Sequence, residues 1–562
     1  MFQNKLALTL GNSPTVHYDA IVIGAGHNGL TCACYLAKAG LKVLVLEDYN
    51  SIGGMTITEE ITLPGFKSDI HAFGYSLATL SPVPNELNLK SHGFELIRPE
   101  ISISHLFPNN HGYISMYKSL EKTLESIRKY SERDAASWKK IFEEYLSNKD
   151  SIVSMLNSPP ANPLQDTESA STENNDRKEA LEIIGDTYRL HTLSMRSWCN
   201  ENFESDEVKA MFGSFAPFVG LSPDDAGGGE LCYLFSSIMQ DGGNNVVRGG
   251  FVNLPIALAN YLQSKGGQII TSSRVKKIII ENGRAIGVEL ANGRVIGAKR
   301  LIASSTDPST LILQLIGEEY VDSHLARGIK RMEWGDAIFG IYLALNGTLE
   351  YISGQEILSR SPQVHLSPPG LEFFSKIYYE CRNGKPPLNP LSIMSNDSMI
   401  DPTRVVSNEN DINKHHLIKF LVLNVPYKIK NADSEIGTEN EWENFKDRYS
   451  DQIIETINQS YIPNLNTSIL KKTIYSPVDY EKKPINSIKG TLASGAILPY
   501  QSGWMRPIPQ LGNYKIPSIS NVYLCGSGSH PGPGVSMAPG RNAAQVILRD
   551  LGIDLRNIFT IS

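Results

Sequence analysis

Three glycines near the start of the chain have the type and spacing that phosphate binding needs. Gly24, Gly26 and Gly29 form the pattern GxGxxG directly after the apolar run at residues 20–23. In such a pattern the first glycine permits a tight turn, the second lets a pyrophosphate approach the backbone, and the third lets a helix pack closely on a sheet. Free amides at the start of that helix would bind the phosphates. The spacing predicts a dinucleotide site, with an ordinary glycine turn as the alternative.

An acidic residue and a second glycine pair follow. Glu47 comes directly after the apolar run at residues 43–46, about 20 residues past the first glycine, where an acid accepts hydrogen bonds from an adenosine ribose. At Gly53 and Gly54 the backbone could pass close to the same dinucleotide, because neither residue has a side chain. A turn that binds no ligand is the alternative for this pair.

These residues must be positioned by elements that the sequence also predicts. Residues 19–47 read as a strand, a glycine turn, a helix of small residues and a second strand, which together make a βαβ unit. Near the other end, a strand at residues 522–525 leads into a glycine-rich loop at residues 526–534. A helix that contains residues 541–551 follows. The chain is therefore expected to form a strand, a glycine turn and a helix at both ends.

The middle of the chain predicts a β-meander over residues 268–303. Its apolar runs are separated by Asn282-Gly283 and Asn292-Gly293, which are strong hairpin signals. An apolar-faced helix that ends at Gly266-Gly267 is expected just before it.

Composition excludes several classes of protein. The 562 residues carry 52 Lys and Arg against 59 Asp and Glu, a net charge of −7, so no nucleic-acid partner is expected. A hydrophobic content of 41% with 20% charged residues is typical of a folded globular protein. Six cysteines are too few for a disulfide scaffold, and the sequence has no CxxC motif. No His, Cys, Asp and Glu cluster has metal-ligand spacing, so no metal is expected.

The sequence contains no run of about 18 apolar residues and so predicts no transmembrane helix. Residues 1–17 are too weakly apolar for a convincing signal peptide and are predicted to form a flexible tail. Because the sparse cysteines favour a reducing compartment, the expected location is cytoplasmic or at the membrane periphery.

Several long motifs resemble those of one family. They are YDAIVIGAGHNGLTCACYLAKAGLKVLVLE with the following IGG, SLEKTLESIRKYSERDA, RGGFVNLPIALANYLQSKGGQI continued through the meander, and MRPIP followed by YLCGSGSHPGPGVSMAPGRNAA. The chain resembles the phytoene-dehydrogenase-like FAD oxidoreductases, which include carotenoid desaturases, desaturase-like β-carotene ketolases and the animal pyridine nucleotide-disulfide oxidoreductase domain-containing protein 2. The motifs span nearly the whole chain and are most specific at its two ends.

The resemblance implies an α/β fold. A Rossmann-like FAD-binding domain, assembled from discontinuous segments, would be interleaved with a substrate domain of mixed sheet and helices. We expect the FAD-binding domain to comprise residues 18–98, 240–310 and 515–552, and the substrate domain to comprise residues 99–239 and 311–514. Within the latter, residues 157–178 are polar and punctuated by proline, which predicts a disordered insertion.

The resemblance also implies which residues would bind FAD, the expected cofactor. The pyrophosphate would face Gly24, Gly26 and Gly29. Glu47 would face the adenosine ribose, Val275 the adenine, and Gly53 and Gly54 the phosphate or ribityl side. The ribityl chain would meet Gly526 and Ser527, and the pyrimidine edge of the flavin would meet the backbone amides of Val535, Ser536 and Met537. A helix N-terminus at that edge would stabilise the negative charge of the reduced flavin.

Three side chains are candidates for catalysis, each with a structural alternative. Arg506, in the MRPIP motif, could polarise a substrate group or anchor a loop. His530 could act as an acid or base beside the flavin or make a structural hydrogen bond, and His71 is expected near the flavin. The chain departs from the family pattern at Pro533 and lacks a histidine that is common just ahead of the Arg-Pro pair. Both departures lie on the expected substrate side.

The expected activity is hydride transfer to FAD from an elongated apolar substrate of polyene or isoprenoid type, by a dehydrogenase, desaturase or ketolase. An oxidase or dehydrogenase of amines or amino acids is a second hypothesis, and an FAD-containing interaction protein with little catalysis is a third. Peripheral membrane contact is a hypothesis that rests on the low water solubility of such a substrate, and the oligomeric state is left open.

Overall fold

A computed structural model describes residues 17–161, 185–406, 414–430, 438–482 and 484–560. One half of the protein is built on a seven-stranded sheet, called the first sheet below. Its central strand, His17–Ile23, pairs in parallel with Val43–Leu46 and with Val295–Ser304. Gln268–Ile270 and Val522–Leu524 add parallel strands on either side. The sheet thus draws its parallel strands from three distant parts of the chain.

The predicted β-meander forms the antiparallel edge of the first sheet. Val275–Glu281 pairs with Arg284–Leu290, which pairs with the first half of Val295–Ser304. Asn282 and Gly283 both have positive φ in the first turn, as a type I′ hairpin requires. The meander and the strands at both ends of the chain are therefore confirmed.

Three helices cover one face of the first sheet: His27–Lys38, Asn253–Ser264 and Ala538–Asp550. The first packs on both of the others. Close contact between the first and last depends on Gly540, because a Cβ there would collide with the Asn28 carbonyl oxygen. The N-termini of the first and last helices therefore lie side by side at one edge of the first sheet.

The other half of the protein is built on a second, mixed sheet. From edge to edge its strands are Ile469–Tyr475, Ala337–Asn346, His415–Val425, Ser392–Ser395, Gln363–Leu366, Ile101–Leu106 and Tyr113–Tyr117. All neighbours are antiparallel except Gln363–Leu366 and Ile101–Leu106, which are parallel. Two short ladders, Thr58–Glu59 with Ser68–Asp69 and Leu96–Ile97 with Val246–Val247, connect loops around the sheets. The α/β fold with a mixed second sheet is confirmed.

Helices pack on both faces of the second sheet, and their apolar sides form two further buried cores. Beyond the three helices already named, the α-helices with both ends in the described ranges are Val83–Glu86, Leu120–Arg128, Glu132–Leu156, Met195–Asn202, Asp206–Gly213, Gly228–Gly242, Ser323–Lys330, Gln355–Ser359, Glu372–Arg382, Asp397–Ile400, Glu441–Ser460, Leu465–Ser468 and Pro477–Glu481, and residues 185–192 are also helical. A π-helical segment covers Thr310–Ile316. Short 3-10 turns cover Gly54–Thr56, Leu77–Leu80, Leu89–His92, Ala216–Val219, Glu318–Tyr320, Pro402–Arg404, Ile488–Gly490, Pro499–Gln501, Gly503–Met505 and Pro509–Leu511. In the described ranges, no helix combines the length and apolar character that crossing a membrane requires.

Two of the predicted segments differ from what the structure describes. The predicted tail at residues 1–17 lies outside the described residues except for His17, which is the first residue of the central strand. The predicted disordered insertion at 157–178 lies outside them from residue 162 onward. At its start, however, Asn157 is buried and its side chain donates to the Leu80 carbonyl at 3.1 Å. Disorder therefore does not extend to Asn157.

Candidate functional site

The first glycine loop is shaped by close packing against Ser305. Gly24 has φ of +95°, and a Cβ on either Gly24 or Gly29 would collide with the Ser305 hydroxyl. A Cβ on Gly29 would also overlap the Gly24 carbonyl oxygen, and one on Gly526 would meet the backbone of Ser305. Only glycine fits these three positions without movement of the neighbours. Sequence patterns did not identify Ser305, because it lies far along the chain from both loops.

Gly26 differs from its neighbours because its Cβ position is open. The nearest protein atom to a Cβ there would be the Gly53 carbonyl oxygen at 3.9 Å. Gly26 is the N-cap of the helix His27–Lys38, and no side chain caps this helix end. Apart from the bridge that joins Gly26 to Gly53, the amides of residues 26–29 have no hydrogen-bond acceptor in the described part of the chain. A row of free amides next to open space at a helix N-terminus suits an anion, so these residues fit a pyrophosphate.

Glu47 links the glycine loop to the expected adenosine side. Its carboxylate accepts from the Ala25 amide at 2.7 Å and from the Tyr49 amide at 2.9 Å. Burial raises the pKa of Glu47, and these two backbone hydrogen bonds oppose that shift. The Ser273 amide donates to the Glu47 carbonyl at 2.7 Å, which brings the segment leading to Val275 alongside. The structure thus places Glu47 and Val275 on the same side of the glycine loop.

The last glycine loop ends at a second open helix N-terminus. Met537, the N-cap of Ala538–Asp550, has φ of +63°, and no side chain caps this helix. The amides of Val535, Ser536 and Met537 have no hydrogen-bond acceptor within the described ranges. Gly53 and Gly54 also have positive φ, and Gly53 bridges Gly26. Two helix N-termini and the second glycine pair therefore face one region.

An apolar cavity of about 960 Å³, its open mouth included, begins at this region and extends toward the second sheet. Part of its wall comes from the first sheet's helices and loops: His27, Met55, Thr56, His71, Ala72, Phe73, Gly74, Ser76, Leu77, Ser527, Pro533, Gly534 and Val535. The remaining walls are Phe215, Phe218, Val219, Phe235, Met239, Gln363, Leu492, Ala493 and Ser494. Among the described residues that line the cavity there is no Asp, Glu, Lys or Arg.

His71 lies in the cavity wall, as expected for a residue near the flavin. Its Nε2 lies 3.2 Å from the Thr491 carbonyl oxygen, and its ring meets Tyr480 edge to face. Burial lowers the pKa of His71 to about 4, so the ring is neutral at physiological pH. A neutral ring whose Nε2–H donates to a carbonyl leaves Nδ1 as an acceptor. The sequence did not single out His27, which also lines the cavity and is also kept neutral by burial.

Buried charges hold the loop that carries His71. Lys419 donates to the carbonyl oxygens of Asp69 at 3.0 Å and Ala72 at 2.6 Å. Arg404 pairs with Asp69 at 2.7 Å and with Asp401 at 3.3 Å. Burial raises the pKa of the Asp69 carboxyl, but Arg404 and Lys419 outweigh that effect and keep it low. This network fixes the position of the cavity wall without placing a charged side chain in it.

Arg506 anchors loops and is not among the residues that line the cavity. Its guanidinium is buried and donates to the carbonyl oxygens of Ser494 at 2.9 Å and Ser527 at 3.1 Å. Longer bonds join it to the carbonyls of Ala496 and Gln501, at 3.3 Å each. Burial lowers the pKa of Arg506 to about 10. Because its donors are bonded to backbone oxygens, these contacts agree with the loop-anchoring alternative for Arg506, and its catalytic role stays a prediction.

His530 also makes a structural hydrogen bond. Its Nε2 lies 2.9 Å from the Met155 carbonyl oxygen, and its own carbonyl accepts from the Tyr514 hydroxyl at 2.8 Å. The residue is absent from the cavity wall. Near this contact, Arg541 and Gln545 donate to the Asn157 carbonyl at 2.6 and 2.9 Å. His530 therefore helps fasten the end of the helix Glu132–Leu156 to the last glycine loop, as its structural alternative expects, and its catalytic role stays a prediction.

The buried histidines predict a loss of stability in acid. Burial lowers the pKa of His71 and His530 to about 4 and that of His105 to about 3. Unfolded histidine titrates near pH 6.5, so between pH 6.5 and 4 the unfolded chain binds more protons and the folded state is destabilised as pH falls. Each histidine adds a slope of up to about 1.4 kcal/mol per pH unit. Chemical denaturation across this range should show the loss, and His105→Gln should reduce its slope; equal slopes for both proteins would contradict the assignment.

Comparisons with known proteins bear on this site. A family model described as flavin containing amine oxidoreductase matches residues 29–335. The mouse protein (Mus musculus) named pyridine nucleotide-disulfide oxidoreductase domain-containing protein 2 is 28% identical, over 95% of this chain and 94% of its own. A limonene dehydrogenase subunit of Castellaniella defragrans is 28% identical, over 96% and 95%. Phytoene desaturase of Fusarium fujikuroi is 25% identical, over 95% and 90%.

Solved structures share the fold. The structure of putrescine oxidase bound to putrescine covers 96% of this chain and 99% of its own, with a TM-score of 0.58 and 13% sequence identity. At that identity the likeness extends to the fold alone. The glycine loops would bind a flavin dinucleotide. The matching family model names a flavin, and the two open helix N-termini suit its pyrophosphate.

Proposed function

The chain belongs to the flavin-containing amine oxidoreductase family, and from that premise we propose that it is an FAD-dependent dehydrogenase or desaturase of an elongated apolar, isoprenoid-type substrate. The family resemblance, the FAD cofactor and an oxidoreductase activity are confirmed by the flavin-containing family model and by the dehydrogenase and desaturase relatives. The class of substrate is the part that we propose.

The observation that carries the proposal is the apolar wall of the cavity. Phe215, Phe218 and Phe235 line it, together with Met239 and leucine and valine side chains. Phe215 and Phe235 lie nearly parallel, with ring centroids 6.3 Å apart and an interplanar angle of 9°. Such a wall favours a hydrocarbon body and, with no charged side chain in the described lining, offers no counter-ion to a cationic one.

The glycine loops would bind FAD. The cavity wall would hold a C–H bond of the substrate next to the end of FAD that faces the cavity. When bound, FAD supplies the two-electron acceptor: the substrate loses a hydride to the flavin and a proton, and gains a double bond. The aromatic residues exclude water from that point. The name of one relative, limonene dehydrogenase, says that it acts on an isoprenoid hydrocarbon, and this supports the same class here.

Oxidation of an amine is the second candidate, and it is favoured by the shared fold with putrescine oxidase. A cation such as protonated putrescine would have to be neutralised before it entered this lining. An interaction protein with little catalysis, the third hypothesis, gains no support from a cavity of this size beside the glycine loops.

The test is a product assay on the purified holoprotein with an artificial electron acceptor. Limonene, geraniol and phytoene would be compared with putrescine and cyclohexylamine, and the products identified by mass spectrometry. We expect an isoprenoid product that has lost two hydrogens and no oxidised amine. Oxidation of an amine with no change in any isoprenoid would overturn the proposal.

A further inference from the structure

A chain of buried polar side chains ends at the cavity wall. Asn244 Nδ2 donates to Gln363 Oε1 at 2.6 Å, and Gln363 Nε2 lies 3.0 Å from His365 Nε2. His365 Nδ1 lies 2.8 Å from Ser214 Oγ, whose hydroxyl donates to the Met211 carbonyl at 2.7 Å. The four polar side chains are at most 2% exposed.

Each hydrogen bond from Gln363 through His365 to Ser214 and Met211 is donated in the same direction, from Gln363 towards Met211. The Ser214 hydrogen is engaged by the Met211 carbonyl, so Ser214 Oγ accepts from the Nδ1–H of His365. The unprotonated Nε2 of His365 then accepts from Gln363. Burial lowers the pKa of His365 well below its ordinary value, so the ring stays neutral, and its two hydrogen-bond partners set the tautomer. Asn244 on one side and His365 on the other fix the Gln363 amide.

The fixed amide has a donor to spare. Its nitrogen carries two hydrogens, His365 accepts one, and within the described ranges no acceptor is bonded to the other. Gln363 is itself a wall residue of the cavity. Around it, Phe215 and Phe218 pack against the His365 ring, so the neighbouring wall is apolar. An unbonded donor on a fixed amide in such a wall favours a ligand that brings an acceptor.

We propose that Gln363 determines specificity by donating a hydrogen bond to a carbonyl or ether oxygen on an otherwise apolar substrate. The inference rests on the proposed function and narrows its substrate class from isoprenoids in general to oxygenated ones. A pure hydrocarbon would leave the donor unpaired, and a protonated amine would bring a cation against it.

The test measures equilibrium binding through the absorbance change of the bound flavin, so it needs no turnover. The probes are geranial and 2,6-dimethyl-2,6-octadiene, which has the same carbon skeleton without the oxygen. Gln363→Met removes the amide at similar volume. Ser367→Ala is the matched control, because Ser367 is a buried hydroxyl that contacts His105 Nε2 at 2.9 Å and makes no bond to Asn244, Gln363, His365 or Ser214.

The wild-type protein should bind geranial roughly 10-fold or more tightly than the hydrocarbon. Gln363→Met should bind both alike, while Ser367→Ala should keep the preference. The proposal is overturned if the wild-type protein shows no preference, if Gln363→Met retains it, or if neither probe binds. Should the preference appear while no isoprenoid is ever oxidised, the role of Gln363 stands and the proposed function fails. Oxidation of isoprenoids without the preference would uphold the proposed function and remove the role of Gln363.

Discussion

Replacing Gly26 by alanine should remove FAD while leaving the apoprotein folded. Gly26 has φ of −72° and ψ of 168°, which alanine adopts freely, and its Cβ would lie no closer than 3.9 Å to any protein atom. The new methyl group would instead occupy the open space in front of the free amides at the helix N-terminus. We expect FAD affinity to fall by roughly 100-fold or more, and the free energy of unfolding of the apoprotein to change by less than about 0.5 kcal/mol.

Gly29→Ala is the matched control, because its methyl group would overlap the Gly24 carbonyl oxygen and the Ser305 hydroxyl. This substitution should destabilise the apoprotein itself, by roughly 1–3 kcal/mol or more. Flavin absorbance of the purified proteins and denaturation of the apoproteins separate the two effects. Full FAD content in Gly26→Ala would contradict the placement of the pyrophosphate.

A carboxylate in the cavity should reverse its preference between substrates. Phe235 lies on the helix Gly228–Gly242 and stacks on Phe215 in the wall. Phe235→Asp would place an unpaired negative charge there, which an apolar substrate cannot solvate. We expect kcat/KM for the isoprenoid substrate to fall by roughly 100-fold, and binding of putrescine, measured by flavin absorbance, to become detectable.

Phe235→Leu is the control, because it shortens the side chain and keeps the wall apolar. It should retain kcat/KM to within about 10-fold. If aspartate and leucine reduce kcat/KM equally, the loss comes from packing and the apolar character of the wall does not select the substrate.

Sequence alone predicted the first sheet and the glycine loops, because each depends on local patterns. A residue type alone indicates the local structure at these positions. Asn282 and Gly283 are typical of a hairpin turn, and the glycines at positions 24, 26 and 29 are typical of a phosphate-binding loop. The motif that begins at Ser119 forms parts of two helices in the structure, because Ser131 Oγ accepts from the Asp134 amide at 3.0 Å and caps the second one. That cap is visible in the sequence as a serine followed three residues later by an acid.

The catalytic candidates and the polar chain at the cavity could not be predicted in the same way. Arg506 and His530 have residue types that suit catalysis, and only their contacts with backbone carbonyls show a structural role. Gln363 binds Asn244, which is 119 positions away, and the adjoining His365 binds Ser214, 151 positions away. No periodicity or motif connects such distant residues, so their association requires the folded structure.

Anaerobic reduction of the bound flavin tests most directly whether the cavity brings an apolar isoprenoid to FAD. The holoprotein would be mixed without oxygen with geraniol in one experiment and cyclohexylamine in another, and the flavin absorbance followed in a stopped-flow instrument. We predict bleaching with geraniol and an unchanged spectrum with cyclohexylamine. Bleaching by the amine, with none by geraniol, would contradict the proposed function.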